Sequence, residues 1–270
     1  MRSTGSLCMT VRRSDGPEMS VNACAALLKK ADPDRFLSVM AAPPAARAVL
    51  FPIYAFNVEV ARAPWVTEES MIAEMRLQWW RDAWEEISKG GNVRRHEVVT
   101  PLADVISADD AEVLDKLVMA RRWDIYKDPF EDDAHFREYL TATSGGLLQV
   151  AGRALGVKGH DPALGQLGYA FGLANWFAAV PELEARGRIP FVDGREQAVV
   201  DLAQEGLQII KENRKKVPAV ALAATRSGWL ADRTLRSAAA NPAIVKDGRL
   251  HISDFVKKAS LISRVLTGLP

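Results

Sequence analysis

Almost throughout this chain the apolar residues recur three and four positions apart, and a period of two never persists beyond a few residues. Residues spaced that way share one face of a helix, whereas a strand alternates sides, so the pattern predicts an all-α fold. The run Met71, Ile72, Met75, Leu77, Trp79, Trp80, Ala83, Trp84 and Ile87 is one such face. Thr67 is placed to cap that helix, Glu68 and Glu69 suit its first turn, and Gly90-Gly91 ends it. Ser107 with Asp110 reads as a capping box that opens a helix to about Lys127. Asp161-Pro162 opens another, expected to end at Pro181. Further helices are expected over Glu196–Lys216 and from a Ser253 cap through Val265, and Pro43-Pro44 opens the helix that carries Tyr54. The Gly-, Pro- and charge-rich stretches at 89–101, 128–133, 156–162, 187–195 and 241–251 are short enough to be connections within one domain over residues 19–270.

Residues 1–18 hold Arg2, Arg12, Arg13 and several Ser and Thr, with acids only at Asp15 and Glu18. That composition is like a transit peptide. No apolar face recurs in it, so a disordered extension, or an upstream start with Met19 as the true first residue, is the expectation.

Charge and cysteines exclude several classes. A formal net charge of +1 is not that of a general nucleic-acid binder. Cys8 and Cys24 are too few for a disulfide framework or a cysteine metal site, and they fit a reducing compartment. The longest apolar runs, near Ala48–Ala55 and Pro218–Ala224, fall well short of the ~20 residues that span a membrane. A soluble or peripheral protein is therefore expected.

Few residue constellations point to chemistry. His96, His135, His160 and His251 are scattered, with no two at metal-ligand spacing, so no metal site is predicted. Carboxylates one helical turn apart can bridge magnesium to phosphate, and Asp82/Glu86 and Asp124/Asp128 have that spacing. Asp82/Glu86 lies beside Arg81, which favours a surface ion pair; Asp124/Asp128 runs into Pro129. The runs Asp109-Asp110 and Glu131-Asp132-Asp133 read as caps or solvated loops. Gly165, Gly168 and Gly172 admit two readings, a ligand groove or close helix contact, and Gly145-Gly146 carries the same ambiguity. Trp65, Trp79, Trp80 and Trp84 either line a cavity or partner surface, or form an aromatic core seam.

Two stretches carry a family resemblance. The first is Tyr54-Ala55-Phe56 followed by Asn57-Val58-Glu59-Val60-Ala61-Arg62-Ala63-Pro64-Trp65; the second is Asn175 to Leu183 followed by Arg186-Gly187-Arg188. Over about residues 34–265 the chain resembles the squalene/phytoene synthase family, the head-to-head prenyl synthases. In that family a Tyr-Ala-Phe helix leads to Asp-Asp-x-x-Asp. Here those three aspartates fall on Ala61, Arg62 and Trp65. The second family signature, Asn-x-x-Arg-Asp-x-x-Glu-Asp, matches at Asn175 and Glu182, but its arginine falls on Ala178 and its aspartates on Ala179 and Leu183. The helix Tyr139–Gly145 resembles the family's middle helix.

The resemblance implies an isoprenoid-synthase-like helical domain around a central cavity, with the helices near 44–62 and 161–181 facing each other across it. It implies lost chemistry too, since a magnesium cage needs the missing carboxylates. Asn57-Val58-Glu59 and Met75-Arg76-Leu77-Gln78-Trp79-Trp80-Arg81 are most similar to an aspartate-lacking branch. That branch includes the mitochondrial assembly factor of respiratory complex I and bacterial relatives. The expectation is a non-catalytic assembly or scaffold factor for complex I (NADH:quinone oxidoreductase), with complex I subunits or assembly intermediates as partners and an isoprenoid or quinone-like ligand in the cavity. It would lie in the cytoplasm, peripheral at the inner membrane, or on the matrix side of the inner membrane in a mitochondrion. No cofactor and no catalytic residue is expected. The cavity residues would be Tyr54, Asn57, Val58, Glu59, Ala61, Arg62, Trp65, Gly145, Asn175, Ala178, Ala179, Glu182 and Arg186. The alternative is a magnesium-dependent head-to-head prenyl transferase drawing ligands from Glu59, Glu182 or Asp82. A further alternative is an isoprenoid- or lipid-binding module.

Overall fold

The structure is a computed structural model that describes residues 20–67, 69–90 and 93–268. The expected N-terminal extension, with Cys8, lies outside the described residues. Among the described residues fourteen α-helices follow one another: α1 (Val21–Ala31), α2 (Pro33–Met40), α3 (Pro44–Arg62), α4 (Ser70–Ser88), α5 (Val99–Ala103), α6 (Ala108–Ala120), α7 (Asp133–Leu140), α8 (Gly146–Ala154), α9 (Asp161–Ala185), α10 (Glu196–Asn213), α11 (Leu222–Thr225), α12 (Ala231–Ala240), α13 (Ala243–Lys246) and α14 (Asp254–Thr267). Among the described residues there is no strand, as the periodicity predicted.

Several boundaries follow directly from local chemistry. Ser107 accepts from the Asp110 N–H while Asp110 accepts from the Ser107 N–H, which closes the capping box at α6. Ser20 and Asp132 cap α1 and α7 through their side chains. Two expectations are corrected. Helix α4 begins at Ser70, because Thr67 spends its hydroxyl on the Glu69 N–H at 3.1 Å, ahead of the helix. Helix α9 passes through Pro181 and ends at Ala185. A proline inside a helix removes one backbone hydrogen bond and crowds the preceding turn. Here the flanking Val180 and Leu183 are both buried, and burial of that whole segment outweighs the defect.

Helix α9 is the axis of the molecule. Its apolar residues are spread round most of its circumference, as suits a helix largely enclosed by others, and it buries Leu164, Leu167, Leu173, Phe177 and Val180, while Gln166, Asn175, Ala178 and Glu184 are exposed. Helices α8, α10 and α12 pack around it, as does the turn Thr141–Gly145 between α7 and α8. That turn is π-helical, a local widening that often accompanies a functional wall. A second group, α1 on α3 and α4 on α6, closes the other side. Both readings of the glycines hold: Gly168 and Gly172 line the cavity, and Gly145 and Gly168 make close backbone contacts. A Cβ on Gly145 would sit 3.0 Å from the Gly165 carbonyl oxygen, and one on Gly168 would sit 2.5 Å from the Ser144 carbonyl oxygen. Only glycine lets these two backbones approach so closely.

The tryptophan ambiguity resolves as well. Trp80 and Trp84 are buried with their rings 5.0 and 4.8 Å from Phe56, edge-on, and form a core seam between α3 and α4. Trp79 is half-buried under Arg94 and His96.

Candidate functional site

Helices α3 and α9 enclose a cavity of about 470 Å³, within the usual range for a small-molecule site. On α3 the residues that reach it are Tyr54, Asn57, Ala61 and Trp65 just beyond the helix end. Spacings of three and four put them on one face. On α9 the corresponding face is Gly168, Gly172, Asn175, Ala179, Glu182 and Arg186. The π-helical turn adds Thr143 and Ser144 as a third wall.

Eight of the thirteen residues named from sequence therefore come together: Tyr54, Asn57, Ala61, Trp65, Asn175, Ala179, Glu182 and Arg186. Five are corrected. Val58 is one position round from Asn57 and points into the core. Glu59 and Arg62 lie on the far side of α3 and pair with each other at 3.7 Å. Gly145 is pressed against the Gly165 backbone. Ala178 is exposed on the outer side of α9, a third of a turn from Ala179.

The sequence reading missed the residues that other elements contribute. Arg121, Asp124 and Tyr139 form a compact network in the wall. Arg121 Nη1 donates to Asp124 Oδ2 at 3.0 Å and to the Tyr139 hydroxyl at 2.7 Å, and that hydroxyl donates to Asp124 Oδ1 at 2.8 Å. Burial pushes the Tyr139 phenol well above its ordinary value, so it stays protonated and serves as a donor. Burial opposes the Arg121 charge, but Tyr139 and Asp124 outweigh it and hold the guanidinium above its usual value. Asp32, Asp34, Arg35 and Ser227 reach the cavity from α2 and from the segment before α12. In sequence Asp124 stood out only through the Asp124/Asp128 spacing, of which Asp124 alone lines the cavity, and Tyr139 only through the likeness of Tyr139–Gly145 to the family's middle helix.

One rim of the cavity is closed by cations on aromatic rings. Arg186 lies 4.6 Å and Arg188 5.1 Å from the centre of the Trp65 ring, and Arg188 lies 4.9 Å from that of Trp123. Arg188 also donates to the Asp124 carbonyl. Burial pulls it below the ordinary guanidinium value, and Asp124 acts in the opposite direction. Trp65 stands where the resemblance places an aspartate, so an aromatic platform for two arginines replaces a metal ligand.

The residues present do not fit a magnesium cage. Among the described residues four carboxylates reach the cavity wall, and each is already engaged. Asp32 caps α2 and pairs with Arg35 at 3.4 Å; Asp34 pairs with Lys257 at 2.6 Å; Asp124 holds Arg121 and Tyr139; Glu182 pairs with Arg186 at 2.6 Å. Among the described residues no three His, Cys, Asp or Glu are grouped to hold a metal ion. The alternative ligands do not converge: Glu182 lines the cavity, Glu59 does not, and exposed Asp82 accepts from Gln78. Glu86 holds Arg94, and Arg81 pairs with Asp115 on α6, in place of the expected Arg81 pairing.

Comparison with known proteins gives the family and the fold. The squalene/phytoene synthase family profile matches residues 28–192. A Drosophila melanogaster protein described as a complex I assembly factor 6 homolog is 27% identical over 202 residues, covering 72% of this chain and 60% of the relative. Human complex I assembly factor 6 is 26% identical over 198 residues, covering 66% of this chain and 59% of the relative. The chain thus spans about 60% of the length of these relatives. A dehydrosqualene synthase crystal structure superposes with a TM-score of 0.73 at 15% identity, covering 92% of this chain and 95% of the other. Squalene synthase HpnC from Alicyclobacillus acidocaldarius gives 0.68 at 16% identity, covering 84% and 94%. At such identities the structural likeness speaks for the fold alone.

Proposed function

The chain belongs to the squalene/phytoene synthase family, and from that premise we propose that it is a non-catalytic member acting as an assembly or scaffold factor for respiratory complex I. Its partners would be subunits or intermediates of that complex. Its cavity would hold an apolar chain, an isoprenoid or a quinone tail, as a bound ligand. The protein would sit at the membrane that carries the complex, as a peripheral protein: on the cytoplasmic face of the inner membrane in a bacterium, or on the matrix side in a mitochondrion. No helix among the described residues is long and apolar enough to cross a membrane.

One observation carries this reading: the cavity persists while every carboxylate in its wall is committed to a cation. A prenyl-diphosphate reaction must stabilise a departing diphosphate; among the described residues the wall offers no set of carboxylates to build a metal cage for it, and its arginines, Arg35, Arg121 and Arg186, are each paired with a carboxylate. The matches to complex I assembly factor 6 from fly and human supply the direction of the role.

The test is a strain lacking this gene, scored for assembled NADH:quinone oxidoreductase by native gel and membrane NADH oxidation. Loss of the complex, restored by the gene, is the expected outcome; normal assembly would remove the proposal. Magnesium-dependent pyrophosphate release from farnesyl or geranylgeranyl diphosphate, abolished by a chelator, would establish the transferase instead.

A further inference from the structure

The C-terminal helix α14 turns an apolar stripe to solvent. Its one buried residue is Leu261, and its Lys257 is tied to Asp34 of α2 at 2.6 Å. Away from Leu261, Phe255, Ala259, Ile262 and Leu266 follow one another at four, three and four residues, so they form a single line along the helix. Phe255 is 81% exposed, Ile262 60% and Leu266 82%, with Val265 beside them at 40%. Phe255 and Leu266 stand about 16 Å apart at 1.5 Å per residue. Scattered exposed hydrophobes need no explanation, but a continuous line of them marks a contact surface.

The charge around that line identifies its partner. Residues 211–270 carry twelve Lys and Arg against four Asp and Glu, in a chain whose formal net charge is only +1. The remainder of the chain is therefore net acidic. Arg214 after α10, Asp232 at the start of α12 and Arg264 on α14 border one small hollow, so these elements adjoin in space. Lys211 on α10, Lys215 and Lys216 just after it, Arg233 on α12, Lys246 on α13 and Lys258 on α14 are exposed. A second exposed line, Met71 and Met75 with Ile72, has the opposite setting: α4 carries Glu74, Asp82, Glu85 and Glu86 against Arg76 and Arg81.

We propose that α14 is a membrane-docking helix, whose Phe255–Leu266 stripe enters the interface of an anionic lipid surface while the basic C-terminal region meets the headgroups. A short helix with Phe, Ile and Leu on one face and Lys and Arg beside it has the chemistry of an interfacial anchor. Basic residues near an anionic leaflet add attraction that decays within a Debye length. A nucleic acid would use the charge but leave the aliphatic stripe unmatched. The proposal deepens the peripheral placement given above and rests on it only for the choice of membrane.

The experiment is flotation of the full chain with vesicles of phosphatidylcholine alone or with about one third phosphatidylglycerol. Binding is expected to the anionic vesicles, weakening as salt rises. The double variant Phe255→Ser/Leu266→Ser should bind roughly tenfold or more weakly, since each side chain gives up apolar burial in the interface. Its urea midpoint should match the parent protein, because both residues are exposed. Met71→Ser/Met75→Ser should bind like the parent. Equal binding by the parent and the Phe255/Leu266 variant would overturn the proposal, as would equal binding to neutral and anionic vesicles. A dimer that the same variant dissociates, with no vesicle binding, would make the stripe a self-association surface and overturn it too. Vesicle binding is read without the respiratory complex, so its failure leaves the assembly role standing, and normal complex I in the deletion strain leaves vesicle binding standing.

Discussion

Replacing Gly168 by alanine tests the closeness of α9 to the π-helical turn, the contact that shapes one wall of the cavity. A Cβ at 168 would meet the Ser144 carbonyl oxygen at 2.5 Å, the Gly145 Cα at 2.7 Å and the Ser144 carbonyl carbon at 3.0 Å. All three atoms are backbone, so no rotamer can relieve the contact. The nearest lies 0.9 Å inside the 3.4 Å at which ordinary contact begins, and the two segments must separate by about that much. Overpacking of this kind costs about 1–3 kcal/mol, before the loss of neighbouring dispersion contacts is added. Alanine returns about 1 kcal/mol in helix propensity. The net expectation is a loss of up to about 2 kcal/mol, or up to ~4–8 °C in Tm for a domain of this size.

Gly165 provides the internal control. Its Cβ would approach the Gln149 Nε2 at 2.6 Å, with the next Gln149 atom at 3.4 Å. That side chain can swing away, giving up its 3.0 Å bond to the Asp161 carbonyl. Loss of one such bond, about 1 kcal/mol, roughly offsets the propensity gain. Gly165→Ala should therefore melt within ~2 °C of the parent. Urea denaturation with both midpoints and slopes recorded would separate the variants. If Gly168→Ala proved as stable as Gly165→Ala, the argument from backbone proximity would be wrong.

Three further expectations follow from the site and the loop at His96. Ala61→Phe should fill the cavity between α3 and α9; mass spectrometry of organic extracts should find copurified apolar ligand with the parent and not with the variant, and complementation of the deletion strain should fail while the fold persists by circular dichroism. Asp124→Asn removes the buried partner of Arg121 and should destabilise by about 3 kcal/mol in urea, whereas Tyr139→Phe, which leaves the ion pair in place, should cost about 1 kcal/mol. His96 Nδ1 accepts the Val98 N–H at 3.2 Å, and burial, aided by Arg94 and opposed by Glu97 and Glu59, holds the ring below the ordinary value of 6.5; the unfolded chain thus takes up its proton first as pH falls, stability declines below about pH 6.5, and His96→Gln should flatten that decline in urea midpoints measured from pH 7.5 to 5.

Much of the fold was legible because it depends on local period and on caps. The Ser107/Asp110 box could be read from two residues, since both of its hydrogen bonds are made within one turn. The missed boundaries depend on more distant neighbours. Thr67 had the right chemistry for a cap, but its hydroxyl serves a turn ahead of α4. Pro181 had the right chemistry for a stop, but the buried side chains on either side of it carry α9 onward.

The site divides in the same way. Tyr54, Asn57, Ala61 and Trp65 were legible because helical spacing alone lines them up. Val58, Glu59 and Arg62 belong to the same stretch, yet a step of about 100° per residue turns them to the core or to solvent. Glycine spacing could not distinguish a groove from a close contact, because the answer depends on which backbone lies opposite.

By itself the sequence determined an all-α chain, two family half-sites without their aspartates, and one cavity-facing edge on each of α3 and α9. Those properties follow from side-chain identity and from the geometry of a single helix. Only the tertiary structure decided that Arg121, Asp124 and Tyr139 meet in one wall, and that Trp65 carries Arg186 and Arg188. It also decided that, among the described residues, every carboxylate of the cavity is already paired. Each of these depends on distances between residues far apart in the chain, which packing sets and local sequence does not.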